Sequence, residues 1–289
     1  MKKLAIAGLG VGILSVDLYF GANLYGTKVA EAKVNKLIDT MAEDDLAVEY
    51  KDISYKPMAQ DVHVKDVTIT SKEDPAEVTI EKVVIRDIDD KSDVPKVMDV
   101  SIQGLLVDLN QPEQLEMASF LQQAGYDTEL SFDIDTKYRY NEAKREMTVD
   151  NFKVSADQVG DLTVNMKLGN VDPDAGFSGM NTIFHGFEIT YKDKSFAEKF
   201  LASMAADQGT SVAALKSEMT GQLTGASQFL LSSENQVVTD AVNEVVAFIE
   251  DPQGLSISVK PEEPLELTNL MAENPDDWVD QLNIEVKSF

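Results

Sequence analysis

The chain has 289 residues, with 51 acidic against 25 basic side chains and a formal charge of −26 at neutral pH. Such a surface is repelled by nucleic acid and by anionic lipid headgroups, which excludes both as general partners. There is no cysteine, so disulfides, thiolate zinc sites and a cysteine nucleophile are excluded as well.

The first element is an apolar run from Leu4 to Tyr25 behind Lys2 and Lys3. As a helix it would be about 33 Å long, enough to cross a hydrocarbon core of about 30 Å. Asp17 interrupts it, at roughly 2.5 to 3.5 kcal/mol near a helix centre. Leu4, Ile6, Leu9, Val11, Ile13, Leu14, Val16, Leu18, Phe20 and Leu24 offset this by about 0.3 to 0.6 kcal/mol each. The expectation is a retained single-pass anchor over 1–26, with the bulk of the chain outside the cytoplasm under the positive-inside rule. A cleaved signal peptide is the alternative, although Tyr19 and Phe20 spoil the nearest small-residue cleavage sites and Ala30-Glu31-Ala32 lies far downstream. A dinucleotide-binding loop does not fit: Gly8 and Gly10 match, but Ile13 stands where the third glycine is needed. Gly8-x-x-x-Gly12 and Asp17 instead suggest a contact between membrane helices, with a membrane protein or a second copy.

Residues 27–44 read as an amphipathic stalk helix, with Ala30, Val34, Leu37, Ile38 and Met41 on one side. From 45 the period drops to two. Leu46, Val48, Tyr50, Ile53 and Tyr55 alternate, then Val62, Val64, Val67 and Ile69 across a bulge at Lys65-Asp66. Val78, Ile80, Val83 and Ile85 follow, and Val97 to Leu109 ends in Leu105-Leu106-Val107, read as a strand buried on both faces or at a sheet centre. Asn110-Gln111-Pro112 opens a helix that Gly125 closes. A second strand block runs from Leu130 to Tyr140, through a hairpin at 141–145, to Met147, Phe152, Leu162 and Leu168. Asn170 to Gly186 reads as a glycine-rich loop before Phe187, Ile189 and Tyr191.

The chain then turns helical over 195–250, with a capping box at Ser195-Phe-Ala-Glu198 and a break at Gly209. The tail, 254–289, reads as strand, helix and strand: Leu255 to Val259, a helix from Asn274-Pro275 carrying Trp278 and Leu282, then Ile284 and Val286. The fold class expected is α+β. An N-terminal membrane helix leads to one domain over 45–289, a curved, mostly antiparallel sheet over 45–192 with the C-terminal helical block packed on it.

The order of these parts, with Val48-Glu-Tyr50, Ser54-Tyr55, Val64-Lys-Asp-Val67-Thr-Ile69 and the hairpin Tyr138-Arg-Tyr140 to Met147-Thr-Val149, resembles bacterial envelope proteins of the YdgA type. It is more loosely similar to AsmA-like proteins. The resemblance implies an inner-membrane anchor, a curved sheet in the periplasm and, for the AsmA-like relatives, envelope maintenance or lipid handling. It transfers no site residues.

Of the chemistry-bearing residues, the two histidines are His63, in a strand pattern, and His185, in the glycine-rich stretch. Ser178, His185 and Asp174 can be drawn as a hydrolytic set, but Gly176-Phe-Ser178-Gly179 is not a nucleophile elbow and an ordinary turn is favoured. Asn170, Asp172 and Asp174 have calcium-loop spacing, with Ala175 and Asn181 where Gly and Glu are required. Asp87, Asp89, Asp90 and Asp93 form a second acidic cluster without that order. No cofactor is implied. The expected role is a non-enzymatic envelope protein that binds or scaffolds at the inner membrane, with lipid or a membrane protein as partner. A periplasmic hydrolase or a loose calcium-binding accessory domain is the alternative.

Overall fold

The computed structural model describes residues 31, 35, 46–59, 61–71, 77–88, 96–109, 121–126, 129–172, 181–230, 236–266, 268 and 281–289. Gly8, Gly12, Asp17, Asp174, Ser178 and Trp278 lie outside them. So do Asp89, Asp90 and Asp93 of the second acidic cluster, most of the expected stalk and the apolar run Leu4 to Tyr25. Among the described residues, no helix is long and apolar enough to cross a membrane. The described elements are antiparallel strands followed by a C-terminal helical block, as the α+β expectation requires. They fall into two compact units.

The first unit contains β1 (Leu46–Glu49), β2 (Asp52–Lys56), β3 (Asp61–Ser71), β4 (Glu77–Ile88), β5 (Val97–Asp108) and β6 (Glu129–Asn141). β1 and β2 share one edge of β3, and β4, β5 and β6 follow in order on the other side. The alternation in the sequence becomes rows across the sheet: Val64 opposes Val83, Val83 opposes Ile102 and Ile102 opposes Ile134. Val62, Ile85 and Val100 make the next row. These rows form one core with Ile69 and Ile80, both essentially inaccessible. Val, Ile and Thr suit such a surface because their branched side chains pack against cross-strand neighbours.

Two irregularities keep the rows in phase. Asp66 has φ of 50° and drops out of the pairing with β4, so the inward set shifts from Val62 and Val64 to Val67 and Ile69. The bulge expected at Lys65-Asp66 is not formed: Lys65 pairs with Lys82 and Val67 with Ile80 in one unbroken register, and β4 makes the matching skip between Ile80 and Val83. β5 resets at Gly104, whose φ is 66° and whose N–H donates to Asp133 Oδ1 at 2.8 Å. Of the two readings of Leu105-Leu106-Val107, the central strand is found, since β5 pairs with β4 and β6, and burial on both faces is not: Leu105 is buried, but Leu106 points outward and is 38% exposed. Of the 27–44 stretch, Glu31 and Asn35 are described and helical, and Asn35 Oδ1 accepts a hydrogen bond from Tyr50 at 2.9 Å. Burial raises the Tyr50 phenol above its ordinary pKa, helped by the charge of Glu31.

The second unit contains most of β7 (Glu146–Ala156), then β8 (Gly160–Gly169), β9 (Ile183–Asp193), β10 (Gly254–Val259), β11 (Leu265–Glu266) and β12 (Ile284–Ser288). It also holds α1 (Phe196–Asp207), α2 (Val212–Leu230) and α3 (Gln236–Glu250). β8, β9, β10 and β12 are neighbours in that order, and β11 adds to the start of β9. One face carries Val164, Ile189, Ile257 and Val286 in register. Tyr191, at the end of that face, meets Phe248 of α3 edge-on at 6.3 Å. Glu244 of α3 accepts from both the backbone N–H and the hydroxyl of Ser288, each at 2.7 Å, which ties the last strand to the helix. Those two bonds hold the Glu244 carboxyl below the usual carboxylate range.

α1 starts differently from the expectation. Ser195 does not cap its own helix; its hydroxyl donates to Gln158 O, and the carboxylate of Asp193 accepts from the N–H of Ala197 at 2.9 Å. An acid at that position satisfies an orphan donor and complements the helix dipole as well as a capping serine would. α1 closes at Gly209, with φ of 64°, as the sequence predicts. Leu201, Ala205 and Leu215 then form a small helical core with Met204 and Met219.

Candidate functional site

The pairing of β8 with β9 slips once. Lys167 pairs with Gly186, but the next residue, Leu168, pairs with Phe184. His185 is therefore the extra residue of a β-bulge, a device that re-aims a side chain and is often found beside binding sites. The glycine-rich pattern puts His185 in a loop; it lies instead within β9, because the strand begins at Ile183. Two glycines make the bulge possible. Gly186 has φ of 141°, and a Cβ there would lie 2.6 Å from Val259 O. A Cβ on Gly169 would lie 2.6 Å from His185 Nε2, so the imidazole rests against bare backbone.

The bulge borders an open groove of about 320 Å³. β7 contributes Thr148, Val149 and Asp150, and β8 contributes Asn165, Met166 and Lys167. β9 adds His185 to Glu188, and Lys260 closes one side just after β10. Lys167 Nζ lies 3.6 Å from Glu146 and Lys260 Nζ 3.2 Å from Glu188. Each of these half-exposed pairs is worth only about 0–1 kcal/mol, so an incoming charged group can exchange with either partner.

His185 is held neutral. Burial lowers its pKa from 6.5, the charge of Lys167 lowers it further, and Glu146 opposes them. A depressed histidine pKa means that the folded state binds the proton less readily than the unfolded chain. Its contribution to stability is thus complete above pH 6.5 and is lost as pH falls through the folded value. In an NMR titration, the His185 ring is expected to show a midpoint below 6.5. Lys167→Met should raise that midpoint and Glu146→Gln should lower it further. A midpoint at or above 6.5 in the native protein would contradict this placement.

The other described candidates read from the sequence do not join this groove. Asn170, with φ of 50°, donates its side-chain amide to Asn181 O at 2.8 Å. Asp172 faces Arg145 at 3.5 Å, where a guanidinium already supplies the positive charge a calcium ion would bring. Asp174 is outside the described residues, and so is Ser178. Among the described residues, no three His, Asp or Glu side chains cluster as metal ligands. Lys167, Lys260 and Glu188 carry no signal in the sequence, because their convergence depends on strand register. The signal that is present is the glycine pair around His185, which marks a close backbone approach.

Comparison with known proteins gives two similarities. A family model described as "Uncharacterized protein" matches residues 153–288. That stretch runs from β7 to β12 and takes in most of the groove lining. A protein of Aquifex aeolicus (strain VF5), also described as "Uncharacterized protein", is 19% identical over 289 residues, with 93% of this chain and 92% of the relative covered. The likeness is distant but extends through both units.

Proposed function

We propose that this is a non-enzymatic binding protein of the bacterial cell envelope, anchored in the inner membrane by residues 4–25 and facing the periplasm. Its second unit holds a single phospholipid by a zwitterionic headgroup. The observation that carries this reading is the groove lining. In a chain of charge −26, Lys167 and Lys260 meet Asp150 and Glu188 around one open depression, with Gly186 leaving its floor bare.

A zwitterionic headgroup answers both charges. Its phosphate suits the lysines and the neutral His185 as donors, and its amine suits the carboxylates. Such a headgroup has no net charge to be repelled by the acidic surface. The apolar run Leu4 to Tyr25 and the YdgA-type resemblance support the envelope location.

The test is lipid analysis of the full chain purified from membranes. A zwitterionic phospholipid is expected to co-purify in near-stoichiometric amount, and Lys167→Glu with Lys260→Glu should reduce it by roughly tenfold or more, since hydrogen bonds to charged groups are each worth about 1.5–3 kcal/mol. A reproducibly empty protein would overturn the lipid reading. Turnover of ester, peptide or glycan substrates would overturn the non-enzymatic one.

A further inference from the structure

The β2–β3 hairpin of the first unit buries a second polar cluster. Ser54 on β2 is the direct cross-strand partner of His63 on β3, so both side chains leave the same face. Asp61, two residues before His63, shares that face because side chains in a strand alternate. Among the described residues, Ser54 Oγ, Asp61 Oδ1 and His63 Nε2 are all buried without a hydrogen-bond partner. His63 Nε2 lies 3.2 Å from Asp61 Oδ2, close enough for an ion pair but not aligned as a hydrogen bond.

Three orphaned polar atoms in one place are unusual in a folded protein. Each costs about 1–3 kcal/mol while it stays unsatisfied. The apolar rows of the same hairpin are on the opposite face and do not need these residues. A nucleophilic role is closed off, because Ser54 Oγ has no access to solvent.

We propose that Ser54, Asp61 and His63 hold one divalent cation of the zinc type, with Asp61 and His63 as ligands and the Ser54 hydroxyl as a weak third donor. Imidazole nitrogen and carboxylate oxygen are the usual non-thiolate ligands of zinc. Two bonds of about 2.0–2.1 Å meeting at about 100° put nitrogen and oxygen about 3.2 Å apart, the separation seen here. Ligands aimed at a common ion also have no reason to align with each other as donor and acceptor. The side chains of Asp61 and His63 retain 14% and 17% of their accessibility, so the pair lies close to the surface although the ligating atoms are covered. A strongly acidic surface raises the local concentration of any divalent cation.

The test is titration of the full chain with Zn²⁺, read at the ring resonances of the two histidines. One equivalent should shift the His63 ring and leave the His185 ring in place, and Asp61→Asn should weaken the His63 response about tenfold or more. His63→Gln should remove one equivalent of binding by calorimetry. Ser54→Ala, which keeps both strong ligands, should bind with a smaller loss and guards against a variant that merely misfolds. No His63 response at one equivalent, or a response unchanged by Asp61→Asn, would overturn the proposal.

Discussion

Ile85→Ala is expected to lower the stability of the protein by about 2–5 kcal/mol. Ile85 is completely buried and lies in the row Val62–Ile85–Val100 at the centre of the first unit's sheet. Truncation removes the transfer energy of its side chain and leaves a cavity between rigid strands that cannot close over it. Leu162→Ala is the matched control. Leu162 is 37% exposed in the second unit, and its loss should cost about 1 kcal/mol or less. Urea unfolding of the two variants checks the difference. Equal losses would mean that the first unit's core is not where the burial places it.

Gly186→Ala has a smaller expected cost but a larger consequence for function. A φ of 141° is accessible to glycine and strained for alanine, by about 1–3 kcal/mol. The added methyl would also meet Val259 O at 2.6 Å, and that atom is backbone in a paired strand and cannot swing aside. Relief requires β9 and β10 to separate or the bulge to unwind. Either movement carries His185 out of the groove. The expected result is a protein still folded by circular dichroism, with lower stability, a His185 pKa returned towards 6.5 and lost headgroup binding. Gly209→Ala gives the contrast. It is strained by its φ of 64° but meets no atom within 4 Å, so it should cost stability and leave the groove intact.

Much of the strand architecture is legible in the sequence, since a period of two in Val, Ile and Leu specifies which face is buried and sets the register. The change of inward face at Asp66 is visible as a skip between Val64 and Val67, although the sequence reads it as a bulge and the register to β4 runs through it unbroken. The bulge at Gly104 is not visible, because Leu105-Leu106-Val107 can be read as an unbroken apolar run; only the glycine's positive φ restores alternation. The start of α1 is misleading because Ser195 and Glu198 fit a capping box, while the carboxylate that caps the helix is Asp193, in the preceding strand. The groove and the Ser54–Asp61–His63 cluster are hidden for a different reason. The groove is made by residues that meet only across strands, and in the cluster Asp61 and His63 share one strand while Ser54 joins them only through register, which is not written in any one segment. Asn170 and Asp172 stand out by their spacing, yet each is engaged elsewhere by Asn181 or Arg145.

The two histidines lie one in each unit, His63 in the first and His185 in the second, and so report separately on the two sites. A zwitterionic phospholipid seated in the second unit's groove has to change the surroundings of His185 and leave those of His63 alone. Short-chain phosphatidylethanolamine added to the full chain in detergent, with both imidazole rings followed by NMR, measures this. The expected result is a saturable shift at His185, none at His63, and loss of the shift in the variant carrying Lys167→Glu and Lys260→Glu. An unmoved His185 ring, or the same shift in that variant, would contradict headgroup binding at this groove.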